Sequence, residues 1–255
     1  MQRNLKTFNS NGIDVFAISY DSQETLREFA KKHDIVYPLL SDEGSGVIRD
    51  FGILNTLIPK DHERFGIPFP GTYMIGSDGL VFEKSFIAAH LTRESVSGML
   101  QESFRVGDPG RGEVSVVSGP EFKACAYLAS PTISPRQLTM LTVEISLIDG
   151  VHIYGRPLPD EYVPVELTLD GEDVLIVDRV DYPEPEVMYL EALDETLPVY
   201  TGRLKIKAHC MGVKRGQGEK VEVSGALRFQ ACDDSQCFLP QTITFPLSLQ
   251  CLPFA

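Results

Sequence analysis

Two hydrophobic periods alternate along the first hundred residues. Ile13-Asp14-Val15-Phe16-Ala17-Ile18-Ser19 is short and mostly apolar, the pattern of a strand buried on both faces of a parallel sheet. Asp21 with Glu24 reads as a capping box, and Leu26, Phe29, Ala30 and His33 follow at helical spacing. Tyr37-Pro38-Leu39-Leu40-Ser41-Asp42 predicts a short extended piece ending in a cap. Val47, Ile48 and Phe51 predict a short helix closed by Gly52. Thr72-Tyr73-Met74-Ile75 and a second strand-like run over 80–86 flank Gly76-Ser77-Asp78-Gly79, whose Asp-Gly signals a hairpin. Residues 93–104 predict a closing amphipathic helix. The order is βαβα, then a hairpin, then a helix.

The texture changes at Val106-Gly107-Asp108-Pro109-Gly110-Arg111-Gly112, where three glycines and a proline fall within seven residues, as at a domain boundary. Beyond it, strand-like runs recur over 141–148, 163–169, 204–208, 221–229 and 242–249, and residues 139–147 alternate almost one by one. Proline and glycine punctuate the gaps. This predicts an all-β sandwich, and a division into a domain at 1–105, a linker at 106–112 and a second domain at 113–255.

The 255 residues suit two domains, each able to bury a core. A formal charge of -13 disfavours nucleic acid and anionic membrane as partners. No apolar run reaches the roughly 18 residues of a membrane span. Met1-Gln2-Arg3-Asn4-Leu5-Lys6 is followed by no apolar segment of the signal-peptide kind. The five cysteines, Cys125, Cys210, Cys232, Cys237 and Cys251, all lie in the second part and match no zinc framework. No metal and no cofactor is expected.

Cys232 and Cys237 stand five positions apart in Phe229-Gln230-Ala231-Cys232-Asp233-Asp234-Ser235-Gln236-Cys237-Phe238-Leu239-Pro240. Five extended residues span roughly 16 Å, whereas disulfide-bonded Cα atoms lie about 5.5–6 Å apart. The chain between them must fold back, and Asp-Asp-Ser favours such a turn. The pair reads as a hairpin tip that opens and closes one covalent bond. Asp233 and Asp234 would raise the thiol pKa values. A static staple is the rival reading, although closing so short a loop contributes only about 2 kcal/mol. Cys125, Cys210 and Cys251 read as buried small hydrophobes, with a Cys125–Cys251 pair left open. His209 and Cys210, adjacent on a strand, point to opposite faces and form no dyad.

The segments Val15-Phe16-Ala17-Ile18-Ser19-Tyr20-Asp21-Ser22, Phe29-Ala30-Lys31-Lys32-His33, Tyr37-Pro38-Leu39-Leu40-Ser41-Asp42 and Pro70-Gly71-Thr72-Tyr73-Met74-Ile75-Gly76-Ser77-Asp78-Gly79 together resemble the thioredoxin-like, peroxiredoxin-type (AhpC/TSA) redoxin family. The resemblance implies a thioredoxin fold. The family places its reactive cysteine or selenocysteine at the start of the first long helix. Residues 1–8 resemble only the tail of that helix, ended by Asn11-Gly12. The resemblance therefore implies a redoxin domain truncated upstream of its nucleophile, and in-frame genomic sequence before Met1 is expected to encode it. Pro70 is either a turn proline before a strand or the counterpart of the cis-proline found beside redox sites in thioredoxin-like reductases.

The cysteine hairpin, with Gln241-Thr242-Ile243-Thr244-Phe245-Pro246-Leu247 after it and Asp149-Gly150-Val151-His152-Ile153-Tyr154 upstream, resembles the amino-terminal periplasmic domain of the transmembrane reductase DsbD. This chain has four residues between the cysteines where that family has five. The resemblance implies an immunoglobulin-like sandwich in which Cys232 and Cys237 are the exchanging dithiol, His152 and Tyr154 line the pocket around the sulfurs, and 181–185 is the protective cap loop. It further implies thiol:disulfide exchange in the periplasm or another extracytoplasmic compartment, with thioredoxin-like or membrane thiol-reductase partners. The alternative is a non-catalytic binding module with a structural disulfide.

Overall fold

The computed structural model describes residues 1–86, 93–94, 96–104, 106, 112–191 and 193–253. Two compact units emerge, one from residues 1–92 with 102–107 and one from 93–101 with 108–255. Residues 107–111 of the glycine-rich linker lie outside the described residues.

The first unit opens with a helix, α1 (Leu5–Ser10). It stops where the sequence places the stop: Gly12 takes φ +69°, and the Ile13 amide donates back to the Phe8 carbonyl. Strand β1 (Ala17–Ser19) then runs parallel to β2 (Leu39–Ser41), with helix α2 (Gln23–Lys32) as the crossover. The capping residue differs from the expectation by one position. The Ser19 hydroxyl donates to the Asp21 carboxylate, and Ser22, in extended geometry, caps the helix by accepting from the Thr25 amide. Helix α3 (Gly46–Asp50) ends at Phe51, and Gly52 at φ +68° turns the chain away. Strands β3 (Gly71–Ile75) and β4 (Val81–Phe86) form the expected antiparallel hairpin, with Gly79 at φ +79° in its turn.

The helix expected over 93–104 is shorter. Arg93–Glu94 forms a strand, β5, parallel to Gln137 and Leu138, and α4 covers only Val96–Glu102. Pairing to a distant strand overrides the local helical pattern at Arg93 and Glu94.

Three sheets build the second unit. One orders β12 (Leu175–Asp181), β15 (Arg203–Gly212), β9 (Gln137–Leu147), β7 (Phe122–Leu128) and β6 (Ser115–Ser118). Another orders β11 (Glu166–Asp170), β16 (Glu219–Phe229), β18 (Gln241–Cys251) and β8 (Thr132–Ile133). These two share one core. Phe122, Ala124, Ala126 and Leu128 alternate inward along β7, and Leu141, Val143 and Ile145 along β9. They meet Leu227, Phe229, Phe245 and Leu247 from the other sheet, and the Phe122 and Phe229 rings pack edge to face at 5.2 Å. The third, smaller sheet orders β13 (Glu186–Leu190), β14 (Glu195–Thr201), β10 (His152–Tyr154) and β17 (Ala231–Cys232).

The link between the second and third sheets positions the cysteines. Strands β16 and β18 pair without interruption from Glu219↔Cys251 to Phe229↔Gln241. The connection at the tip of that long hairpin leaves the sheet, and its first residues become β17, which pairs with β10. Among the described residues, no helix is long and apolar enough to cross a membrane.

Candidate disulfide site

Cys232 and Cys237 are joined by a disulfide, with Cα atoms 4.0 Å apart. The turn between them is held by Asp233. Its Oδ1 accepts from the Ser235 amide at 2.8 Å, the Ser235 hydroxyl at 2.7 Å and the Gln236 amide at 2.9 Å. This is the Asx-type turn that the Asp-Asp-Ser spacer predicts. These bonds, led by the Ser235 hydroxyl, hold the Asp233 carboxyl below the usual carboxylate range. The Asp233 amide donates to the Gln236 carbonyl and the Phe238 amide to the Ala231 carbonyl, closing the tip.

The two sulfurs occupy different surroundings. Cys232 is 1% exposed, whereas Cys237 is solvent-exposed. Period-two alternation accounts for the burial of the first. On β10 and β17, Ile153 and Ala231 turn into the main core. His152, Tyr154 and Cys232 take the opposite face, where Tyr154 and Cys232 join Leu197 and Val199 in a small second core. The Tyr154 hydroxyl lies 3.3 Å from each sulfur. Its ring contacts His152 at 5.6 Å and Tyr162 at 5.1 Å, and the Tyr162 hydroxyl donates to Glu195 at 3.0 Å. Burial, with Tyr162 and Glu195 nearby, pushes the Tyr154 phenol above its ordinary pKa. Burial likewise holds the His152 imidazole below its ordinary value, although Asp234 and Asp233 pull the other way.

A groove of about 410 Å³ opens beside the spacer. Four carboxylates rim it, those of Glu121, Asp149, Asp233 and Asp234. The segment 181–185, the expected cap loop, is held by three contacts. Tyr200 donates to the Pro183 carbonyl at 2.8 Å, the Leu167 amide donates to the Tyr182 hydroxyl at 2.9 Å, and Pro185 sits so close to Gly155 that a Cβ there would lie 2.7 Å from it. Cys237 remains exposed.

The sequence brings four of its five chosen residues to one place: Cys232, Cys237, Tyr154 and His152. Pro70 belongs to the first unit, just before β3. Its peptide bond is trans, so the turn-proline reading describes its backbone; the cis peptide among the described residues is Arg156–Pro157. Tyr162 and Glu195 escaped sequence reasoning. Tyr162 reaches Tyr154 only by the fold-back over Pro157 and Pro159, and Glu195 arrives from a strand forty residues away by register alone.

The remaining cysteines are free. Cys210 and Cys251 are buried, and Cys125 is half-buried, so the Cys125–Cys251 pair left open by the sequence does not form. Burial pushes the Cys210 thiol up to about 12. His209 points outward to Asp181, with Nε2 2.7 Å from Oδ2, while Cys210 faces the core. Among the described residues, no cluster of side chains suited to a metal ion occurs.

Comparison with known proteins follows the same division. Residues 1–84 match the AhpC/TSA family, and residues 125–249 match the family of thiol:disulfide interchange protein DsbD, N-terminal. Among curated relatives, chloroplastic peroxiredoxin Q of Sedum lineare is 39% identical over 75 residues, covering 29% of this chain and 37% of that protein. Thiol-disulfide oxidoreductase ResA of Bacillus thuringiensis is 23% identical over 96 residues, covering 37% of this chain and 47% of that protein. The chain thus spans less than half the length of these relatives. The N-terminal periplasmic domain of ScsB from Proteus mirabilis aligns with a TM-score of 0.41 at 15% identity, over 53% of this chain and 51% of that one. The DsbD N-terminal domain of Neisseria meningitidis, in the reduced form, aligns with a TM-score of 0.31 at 12% identity, over 59% and 94%. The chain therefore joins a segment at residues 1–84 that matches the AhpC/TSA family to a segment at residues 125–249 that matches the N-terminal domain family of DsbD.

Proposed function

We propose that the chain is a thiol:disulfide oxidoreductase whose Cys232–Cys237 pair relays electrons by disulfide exchange. Its partners would be thioredoxin-like or membrane thiol-reductase proteins of an extracytoplasmic compartment, and its β unit an immunoglobulin-like sandwich. One observation carries the reading: an exposed Cys237 bonded to a buried Cys232, with one phenol hydroxyl 3.3 Å from both sulfurs. A staple has no need of an exposed sulfur.

The asymmetry supports the following order of steps. A partner thiolate attacks the exposed Cys237 Sγ and forms a mixed disulfide there. The Cys232–Cys237 bond breaks, and its electron pair stays on Cys232 Sγ. A hydrogen bond from the Tyr154 hydroxyl stabilises that sulfur as it leaves. A second partner thiol attacks the mixed disulfide and releases Cys237. The reverse sequence passes electrons on. Residues 1–124 contain no cysteine, so within this chain exchange rests on the pair. Pro70 would serve the redoxin unit as the turn that sets the start of β3. Peroxide or protein-disulfide reduction, an antioxidant role, would fall to the redoxin nucleophile, with Cys232 and Cys237 relaying electrons to or from it.

The test is the reduction potential of the pair in glutathione buffers, together with a Cys232→Ser variant that keeps Cys237 available. A potential above about -300 mV and a trapped mixed disulfide with a thioredoxin-like protein are expected. A potential below that value with no trapped species would establish the structural-disulfide alternative.

A further inference from the structure

A buried acceptor beside the disulfide has no partner. His152 is 4% exposed, and its Nε2 is covered with no donor in reach. Native interiors rarely leave such an atom unpaired. His152 stands directly opposite Cys232 in the β10–β17 pair. Opposed residues of antiparallel strands put their side chains on one face, with Cβ atoms roughly 4.5–5.5 Å apart. The imidazole also packs against Tyr154, whose hydroxyl touches both sulfurs.

In the disulfide, Cys232 has no proton to give. Reduction supplies one. Two thiols of a reducing partner become its disulfide, and two electrons and two protons convert Cys232–S–S–Cys237 into two thiols. The Cys232 thiol so formed is freed to rotate about its side chain, in a pocket that disfavours the thiolate. We propose that His152 Nε2 is the acceptor for the Cys232 thiol proton in the reduced protein, so that His152 is a positioning residue biasing the pair toward the dithiol. This rests on the reading of Cys232–Cys237 as an exchanging pair.

The groups around the ring are compatible with that role. Asp234 and Asp233 at the hairpin tip favour the imidazolium, and burial opposes it more strongly; in the neutral ring, the tautomer with its proton on Nδ1 presents a lone pair at Nε2. The Tyr154 and Tyr162 hydroxyls and Glu195 lie along the same face. From β14, His152 faces Thr201, whose hydroxyl is 3.5 Å from the Glu186 carboxylate.

The experiment measures the dithiol–disulfide equilibrium with glutathione for the full chain, for His152→Phe and for His152→Gln. Phenylalanine keeps the ring and loses the acceptor; the glutamine carbonyl restores an acceptor. The His152→Phe variant should favour the disulfide about tenfold more than the wild type, a potential about 30 mV more negative. His152→Gln should stay within threefold of the wild type. A change below threefold in His152→Phe, or a glutamine variant no different from phenylalanine, overturns the proposal while a wild type that equilibrates with glutathione keeps the exchange reading. A wild type that does not equilibrate defeats that reading itself. If His152→Phe fails to fold, the ¹⁵N shift of the wild-type His152 Nε2 decides: a shift on reduction supports the bond, and an unchanged one overturns it.

Discussion

The two units treat apolar strands in opposite ways. Along β9 in the second unit, Leu141, Val143 and Ile145 are wholly buried, with a second sheet across the core. In the first unit, the run that forms β1 reads as a strand buried on both faces, yet Ile18 and its direct partner in the register, Leu40 of β2, are 39% and 46% exposed. An alternating strand needs one covering layer and a uniformly apolar parallel strand needs two. The second unit meets its requirement from its own residues. In the first, one face of the β1–β2 pair stays open. The cysteines divide the same way, all five lying in the second unit. Packing that closes on itself and all the cysteines therefore coincide in one half of the chain.

The largest effect that sharpens this contrast is loss of the exposed sulfur. Cys237→Ser should lower exchange with a dithiol partner by at least about 100-fold, measured as the rate of partner oxidation, because without Cys237 there is no disulfide for the partner thiolate to attack. Substantial residual exchange would mean that the contrast in chemistry is false. Next comes packing. Phe245→Ala should cost about 3–5 kcal/mol in denaturant unfolding of the second unit, whereas Ile18→Ala should cost under about 1 kcal/mol. An Ile18→Ala cost as large as that of Phe245→Ala would show that the β1–β2 face is covered in solution.

A smaller effect concerns Tyr154. Tyr154→Phe keeps the ring and removes the hydroxyl 3.3 Å from both sulfurs. One hydrogen bond of about 1 kcal/mol should lower the exchange rate roughly fivefold, with little change in stability. The smallest effect is in pH dependence. Burial lowers the folded-state pKa of His152 from 6.5. The unfolded chain takes up that proton first, so this contribution is present above pH 6.5 and is lost as pH falls from there through the folded value. A His152→Phe variant should show a shallower loss of stability over that range than the wild type. An equal slope would remove His152 as the cause.

How much the chain spells out depends on distance along it. Gly12, Gly52 and the Gly76–Gly79 turn stop or reverse the backbone where their residue types predict, because a positive φ or a tight turn is settled within four or five residues. The shift of the α2 cap from Asp21 to Ser22 shows the limit even locally, since a serine hydroxyl two positions back claimed the aspartate. Arg93 and Glu94 left their predicted helix for a partner forty-four residues away in sequence.

The cysteine hairpin divides along the same line. From sequence alone come the fold-back between Cys232 and Cys237 and the turn that Asp233 organises, because every bond holding that tip lies within a few residues. Only the tertiary structure decided that Cys232 is buried and Cys237 exposed, that Tyr154 touches both, and that His152 stands opposite Cys232 with its Nε2 buried and unpaired. Those facts follow from the register of β10 against β17, strands about eighty residues apart. The whole core sets that register, as Ile153 and Ala231 turn inward and carry their neighbours to the other face.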